Sequence, residues 1–155
     1  MAGINAVATT PKITISATST TYYVASITAP TNQRLKIKRF GVFFNEETGD
    51  ATPAIPFEVY LGNATTPTGG SALTPVKLSS GSETLQASAL YSLTSATVDK
   101  RDYAFVNGQT FYEVFYAPGD EVIVQGGETF GIVVISGATI STGNLSVVAK
   151  IYYEE

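Results

Sequence analysis

Carboxylates are the first residues to weigh, because few other groups in this sequence are able to do chemistry. Glu46, Glu47 and Asp50 share the stretch NEETGD, where oxygen ligands around a glycine would suit a hard cation such as Ca²⁺. The spacing does not match the EF-hand loop, and a solvated acidic loop is the plainer reading. Asp120 and Glu121 are neighbours, and neighbours on a strand point to opposite faces, so they do not form an acid–base pair. Glu113 lies inside FYEVFY, where burial among aromatic rings would raise its pKa. A glycosidase would need a second carboxyl at a matched distance; the plainer reading is a Glu facing away from the core or paired across an interface. Asp99, Lys100, Arg101 and Asp102 form the densest charge cluster. It reads as a solvated loop, or as an ion-pairing patch that orients the protein on a partner.

The residue types that are missing exclude more. There is no His and no Cys. No imidazole base, Ser-His-Asp triad or ordinary zinc or copper site can therefore be built, and there is neither disulfide nor thiolate chemistry. No glycine-rich loop follows a strand and opens a helix, so no nucleotide motif is present. No catalytic, cofactor-binding or metal-binding set emerges, and neither enzymatic activity nor a small-molecule substrate is expected. Charged residues make up 14% of the chain, against about 25% in an average soluble protein, and the net charge is −4. A chain built to grip phosphate backbones is normally basic, so no nucleic-acid partner is expected. The low charge fits a surface rich in Thr and Ser, or a surface covered in an assembly. Nine Tyr and eight Phe are present without Trp. Tyr22, Tyr23, Tyr60, Tyr91, Tyr112, Tyr116, Tyr152 and Tyr153 would stack on sugars or, in the preferred reading, serve the core and subunit interfaces.

These side chains must be positioned by strands. In RLKIKRFGVFF, Leu35 and Ile37 alternate with Lys36 and Lys38, the period-2 pattern of a half-buried strand, and Gly41 is a candidate bulge. FEVYLG places Phe57, Val59 and Leu61 on one face. LSVVAKIYYEE does the same with Leu145, Val147, Ala149, Ile151 and Tyr153. LQASALYSL reads as extended, with a short helix as the alternative. NEETGDATPAIP and NATTPTGGSALTP read as loops. Asn107-Gly108 in YAFVNGQTFYEVFY predicts a hairpin. In PGDEVIVQGGETFGIVVISG, Pro118-Gly119 turns the chain into one strand and Gly126-Gly127 separates it from the next, as at a corner where both strands face one core. Roughly eight to ten strands with regular turns, and no long amphipathic helix, predict an all-β protein: a single antiparallel β-sandwich of jelly-roll type over residues 13–155. Residues 1–12 are small and uncharged until Lys12. They predict an extended N-terminal arm, loose on its own and in need of a surface.

The N-terminal MAGINAVATTPKITISATS lacks a basic region and a continuous apolar core, and no run approaches the ~18 apolar residues of a membrane span. Synthesis in a cytoplasm and no membrane partner are expected. Asn63-Ala-Thr65 and Asn144-Leu-Ser146 match the glycosylation pattern, which carries no weight without a secretion signal.

The order of RLKIKRFGVFFN, TPVKL, APGDEVIVQGGETFGIVV and VVAKIYYEE, over most of residues 30–155, resembles the jelly-roll decoration (auxiliary or cement) proteins of tailed-phage capsids. The resemblance implies a homotrimer on the outer capsid surface of a virion, near local three-fold axes. There it would tie major capsid protein subunits together and catalyse nothing. The arm would then lie along a capsid subunit or a neighbouring copy, and its deletion would weaken attachment while leaving the body folded. The alternatives are a tail or fibre jelly roll that binds carbohydrate or a receptor, and a filament-forming surface protein.

Overall fold

Alternating side chains sort this chain into two layers. The computed structural model describes residues 3–15, 20–50, 57–108, 110–136 and 142–155, with backbone alone for 46–50 and 142–144. In chain order its strands are β1 (Asn5–Thr9), β2 (Ile13–Ile15), β3 (Thr21–Thr28), β4 (Leu35–Asp50), β5 (Phe57–Thr68), β6 (Ser71–Leu73), β7 (Val76–Lys77), β8 (Ser88–Leu93), β9 (Ser95–Val98), β10 (Asp102–Val106), β11 (Phe111–Phe115), β12 (Val122–Val124), β13 (Thr129–Ile135) and β14 (Thr142–Glu154). The first sheet has the order β11-β4-β14-β1-β7, with β12 also on β4 and β2 also on β14. The second has the order β10-β5-β13-β3-β8-β6, with β9 also on β5. Every pairing is antiparallel. The molecule is an all-β sandwich of two sheets packed face to face.

The core follows the period-2 pattern closely. Leu145, Val147, Ala149 and Ile151 of β14 are fully buried, as are Phe57, Val59 and Leu61 of β5 and Leu35 and Ile37 of β4. In one core cluster the β14 and β4 side chains of the first sheet meet the β5 side chains and Phe130, Ile132 and Val134 of β13 from the second. LQASALYSL is extended, and its second half is β8.

Several local expectations are corrected. β4 has two irregularities against β14, and neither is at Gly41. Tyr152 pairs with Arg39 and Tyr153 with Ile37, skipping Lys38, and Asn144 pairs with Thr48 and Leu145 with Glu46, skipping Glu47. Gly41 pairs in register with Glu113 and Lys150. Its missing side chain makes room: a Cβ there would lie 2.8 Å from the Phe43 ring and 3.1 Å from the Glu113 carboxylate. Asn107-Gly108 does not close a hairpin, because β10 pairs with β5 and β11 with β4, in different sheets. Gly108 is instead demanded by close approach, since a Cβ would meet the Phe57 ring at 2.9 Å and Leu145 at 3.1 Å. Both expected loops begin as strand. β4 runs on to Asp50 and β5 to Thr68, where Gly69 and Gly70 turn the chain with φ of 66° and 91°.

Residues 3–12, the described part of the expected arm, lie within the sandwich. β1 lies between β14 and β7, and Ala6 and Ala8 are buried. Ile4 and Glu155 exchange backbone hydrogen bonds of 2.8 and 2.9 Å, so the first described strand is part of the sandwich itself. The Gly126-Gly127 corner is as expected. β12 belongs to the first sheet and β13 to the second, and Gly127 takes φ 81° in the turn that joins them.

Candidate interaction surface

The chain crosses from the second sheet to the first at both lateral sides of the sandwich. On one side β10 leads to β11, each the end strand of its sheet. On the other, β6 leads to β7, again the two end strands. The exposed large apolar side chains among the described residues lie at these two edges: Tyr103, Phe105, Phe111 and Phe115 on one, Val76 and Leu78 on the other, each 58–66% exposed.

At the first edge strand alternation decides which side chains point out. Val106 of β10 enters the core cluster and Ala104 packs against it, leaving Tyr103 and Phe105 on the outer face. Tyr112, Val114 and Tyr116 pack against the core, leaving Phe111, Glu113 and Phe115 outside. Tyr116 donates its N–H to Lys38, and Thr110 accepts from Phe44, so the even-numbered residues bond to β4. The backbone groups of 111, 113 and 115 therefore face the open edge, beside the exposed rings.

The rings are held in place. Phe111 stacks on Phe43 with centroids 5.9 Å apart, and Tyr103 meets Phe105 edge-on at 6.2 Å. The Arg39 guanidinium lies over Phe115 at 4.3 Å and over Tyr152 at 4.6 Å. Its Nε donates to Glu113 Oε1 at 2.7 Å, and Nη2 reaches the same oxygen. Lys100 pairs with Glu58 and sits 5.0 Å from the Tyr60 ring. Tyr116 donates its hydroxyl to Asp102 Oδ2 at 2.6 Å, which ties the start of β10 to the end of β11. Burial first, and the Asp102 carboxylate second, push the Tyr116 phenol far above its usual range.

The second edge is concave. Thr74, Pro75, Val76, Lys77, Leu85 and Ala87 line most of an open groove of about 530 Å³. The far wall is anchored by the Glu155 carboxylate, which accepts the N–H groups of Gln86 at 2.8 Å and Ala87 at 3.1 Å. Lys77 is occupied by the carbonyls of Gly81 and Glu83, so neither edge offers a lone charge from these groups.

The residues singled out by sequence do not converge on one site. Glu113 is paired with Arg39 inside its own chain. Asp120 and Glu121 sit in the turn before β12, where the Gly119 N–H at 2.7 Å lowers the pKa of Glu121. Residues 99–102 are an ordered connection: Asp99 and Arg101 bond to the β5 backbone, each at 3.0 Å. Glu46, Glu47 and Asp50 have strand backbone, not loop backbone; Glu46 and Asp50 pair with β14, and Glu47 is skipped in the register. The Ca²⁺ expectation rests on side chains that lie outside the described residues. Among the described residues, no group of three acidic side chains is placed to hold a metal ion.

Of the eight tyrosines named from sequence, Tyr60 and Tyr153 are buried and the other six are half-buried. Burial raises the pKa of Tyr60, Tyr112 and Tyr153. Tyr103, the exposed one, was not among those eight, and neither were the three exposed Phe. The alternation in YAFV and FYEVF marks two faces, but only the assignment of β10 and β11 to sheet ends reveals which face is open. No protein-family model matches the chain, and no curated protein is significantly similar to it.

Proposed function

We propose that this chain is a structural protein of a virion, a jelly-roll decoration protein that binds the outer surface of a tailed-phage head and bridges major capsid protein subunits. The order of scaffold motifs over residues 30–155 supports the family. The chain's alternation between sheets, from β3 to β4 to β5 and again from β12 to β13 to β14, supports the jelly-roll type, as does the neighbour order β3-β13-β5-β10 within one sheet.

One observation carries the functional reading. The most exposed rings are three Phe and one Tyr, fixed on edge strands, with the charges around them already paired. Sugar recognition needs convergent hydrogen-bonding groups beside a stacking face, and Phe supplies none. Protein interfaces favour aromatic anchors of this kind with little unpaired charge. Each copy then needs only modest affinity. A bound oligomer engages several subunits at high effective concentration, and binding to the assembled shell alone stabilises it by mass action.

Co-sedimentation with purified capsids tests this reading. Saturable binding and a raised shell-disassembly temperature are expected. Binding to a glycan array with no capsid binding would overturn it in favour of a fibre module.

A further inference from the structure

Among the described residues β11 ends the first sheet. Its even-numbered residues bond to β4, so the N–H and C=O groups of Phe111, Glu113 and Phe115 point away from the sheet. The side chains of the same three residues lie on the sheet's outer face, opposite to the core-packed Tyr112 and Val114. We infer that β11 pairs antiparallel with β11 of a second copy of this chain, about a two-fold axis at Glu113, so that the first sheets of the two copies join into one.

The strand's own sequence is the first argument. FYEVF carries one Phe two residues before Glu113 and another two residues after it. Laid antiparallel on itself, it sets Phe111 opposite Phe115 of the second copy and Phe115 opposite Phe111. In that register every outward N–H of Phe111, Glu113 and Phe115 meets an outward carbonyl, because odd-numbered residues face odd-numbered ones. Cross-strand aromatic pairs stabilise such a ladder. The two rings are 63% and 66% exposed in the single chain, and both are already oriented, Phe111 by its stack on Phe43 and Phe115 by the Arg39 guanidinium.

The lack of edge protection is the second argument. Sheet ends commonly carry a Pro, a bulge or an unpaired charge that deters a further strand. β11 has no Pro, and its register against β4 is unbroken over its 5 residues. Its one charged residue, Glu113, is bonded to Arg39. Two Glu113 carboxylates would meet at the axis, and each arrives already paired within its own chain. The far side of the sandwich offers no comparable template, since β6 and β7 have 3 and 2 residues. Area sets the strength. At these exposures the two rings bring roughly 250 Å² of apolar surface per copy, against ~800 Å² per partner in a standard interface. A micromolar dimer is therefore expected, and an isologous contact of this kind closes at two copies.

The inference concerns self-association and does not depend on the proposed capsid partner. Native mass measurement of the full chain over a dilution series is expected to show monomer and dimer in exchange. The double variant Phe111→Ser with Phe115→Ser changes only exposed side chains, so it unfolds cooperatively like the parent, and it loses at least about tenfold in dimer affinity. A second readout exploits the lack of Cys and reports the register. Opposed residues of a hydrogen-bonded antiparallel pair have Cα atoms about 5.5 Å apart, within reach of a disulfide. On mild oxidation Phe111→Cys protein therefore cross-links to Phe115→Cys protein. Neither cross-links to itself, because like positions lie about 13 Å apart along the strands.

A parent that stays monomeric at about 100 μM overturns the inference, as does one that assembles as a trimer. So does a double Phe variant that dimerises as tightly as the parent, or Phe111→Cys protein that links to itself and not to Phe115→Cys protein.

Discussion

The two lateral edges solve one problem, carrying the chain from the second sheet to the first, by different means. At the β10–β11 edge the side chains are locked. Phe111 is stacked on Phe43, Arg39 is clamped between two rings, and Tyr116 is bonded to Asp102. At the β6–β7 edge there is little strand to work with, since β7 has 2 residues. Order there comes from chain termini: β1 supplies the pairing partner of β7, and Glu155 anchors residues 86 and 87. The first edge is held chiefly by side-chain contacts and presents ordered aromatic rings on the outer faces of both sheets. The second is held chiefly by the chain termini and leaves a groove. Their different construction makes them respond differently to the same kind of damage.

The largest effect is expected from removing residues 1–10. The groove edge loses β1 and with it the Leu78 N–H to Asn5 carbonyl bond of 2.8 Å and both bonds between Ile4 and Glu155. Ala149 also loses its acceptor, the Thr10 hydroxyl at 2.9 Å. Buried backbone left unpaired along β14 should cost more than about 4 kcal/mol, seen as loss of a cooperative urea transition. A truncated protein that unfolds like the parent would show that β1 is the dispensable arm that composition alone suggests.

Next in size is Gly108→Ala at the aromatic edge. The new methyl would press on the Phe57 ring and Leu145, two fully buried side chains with nowhere to go. About 2 kcal/mol of stability should be lost, read from the midpoint of chemical unfolding. Arg39→Ala comes after it, at about 1 kcal/mol. It frees Phe115 and Tyr152 and strands Glu113, whose side chain is only 13% exposed. Raised salt should shrink the difference, because part of it is Coulombic.

The legible part of the fold was the part set by neighbours in sequence. Leu145 to Tyr153 alternate, and every second one is buried, because one strand face meets the core whatever its partner strand is. What depended on the partner was not legible. Asn107-Gly108 has the composition of a tight hairpin, yet β10 and β11 find better partners in β5 and β4, far away in sequence. The bulges of β4 fall at Lys38 and Glu47 because β14 skips them, between Tyr152 and Tyr153 and between Asn144 and Leu145, a fact carried by β14 and not by the residues around them. The Thr-rich NATTPT looks like loop, and it is strand because β9 and β13 lie alongside. The candidate surface shares this limit. Phe105 and Phe115 read as core or interface from sequence, and only their place on end strands leaves them open.

The finest comparison sets one tyrosine against another. Tyr116 serves the aromatic edge, and Tyr153, paired with Ala6, lies beside the groove edge. Removing the Tyr116 hydroxyl as Phe leaves Asp102 without its 2.6 Å donor and should cost about 1 kcal/mol. The Tyr153 hydroxyl is buried with no hydrogen-bond partner among the described residues, so Tyr153→Phe should be neutral or slightly stabilising at neutral pH. Alkaline unfolding separates the two further. A tyrosine in the unfolded chain ionises near pH 10, whereas burial keeps both phenols neutral well above that in the folded protein. Above pH 10 the unfolded state therefore binds fewer protons than the folded one. Stability is full below that pH and falls as it rises, by about 1.4 kcal/mol per pH unit for each such tyrosine. Either Phe variant should flatten this fall by one tyrosine's share, while only Tyr116→Phe starts from a lower plateau. Equal plateaus for the two variants would mean that the Asp102 bond does nothing to hold β10 against β11, and the aromatic edge would then owe its order to the ring stacks and the Arg39 clamp alone.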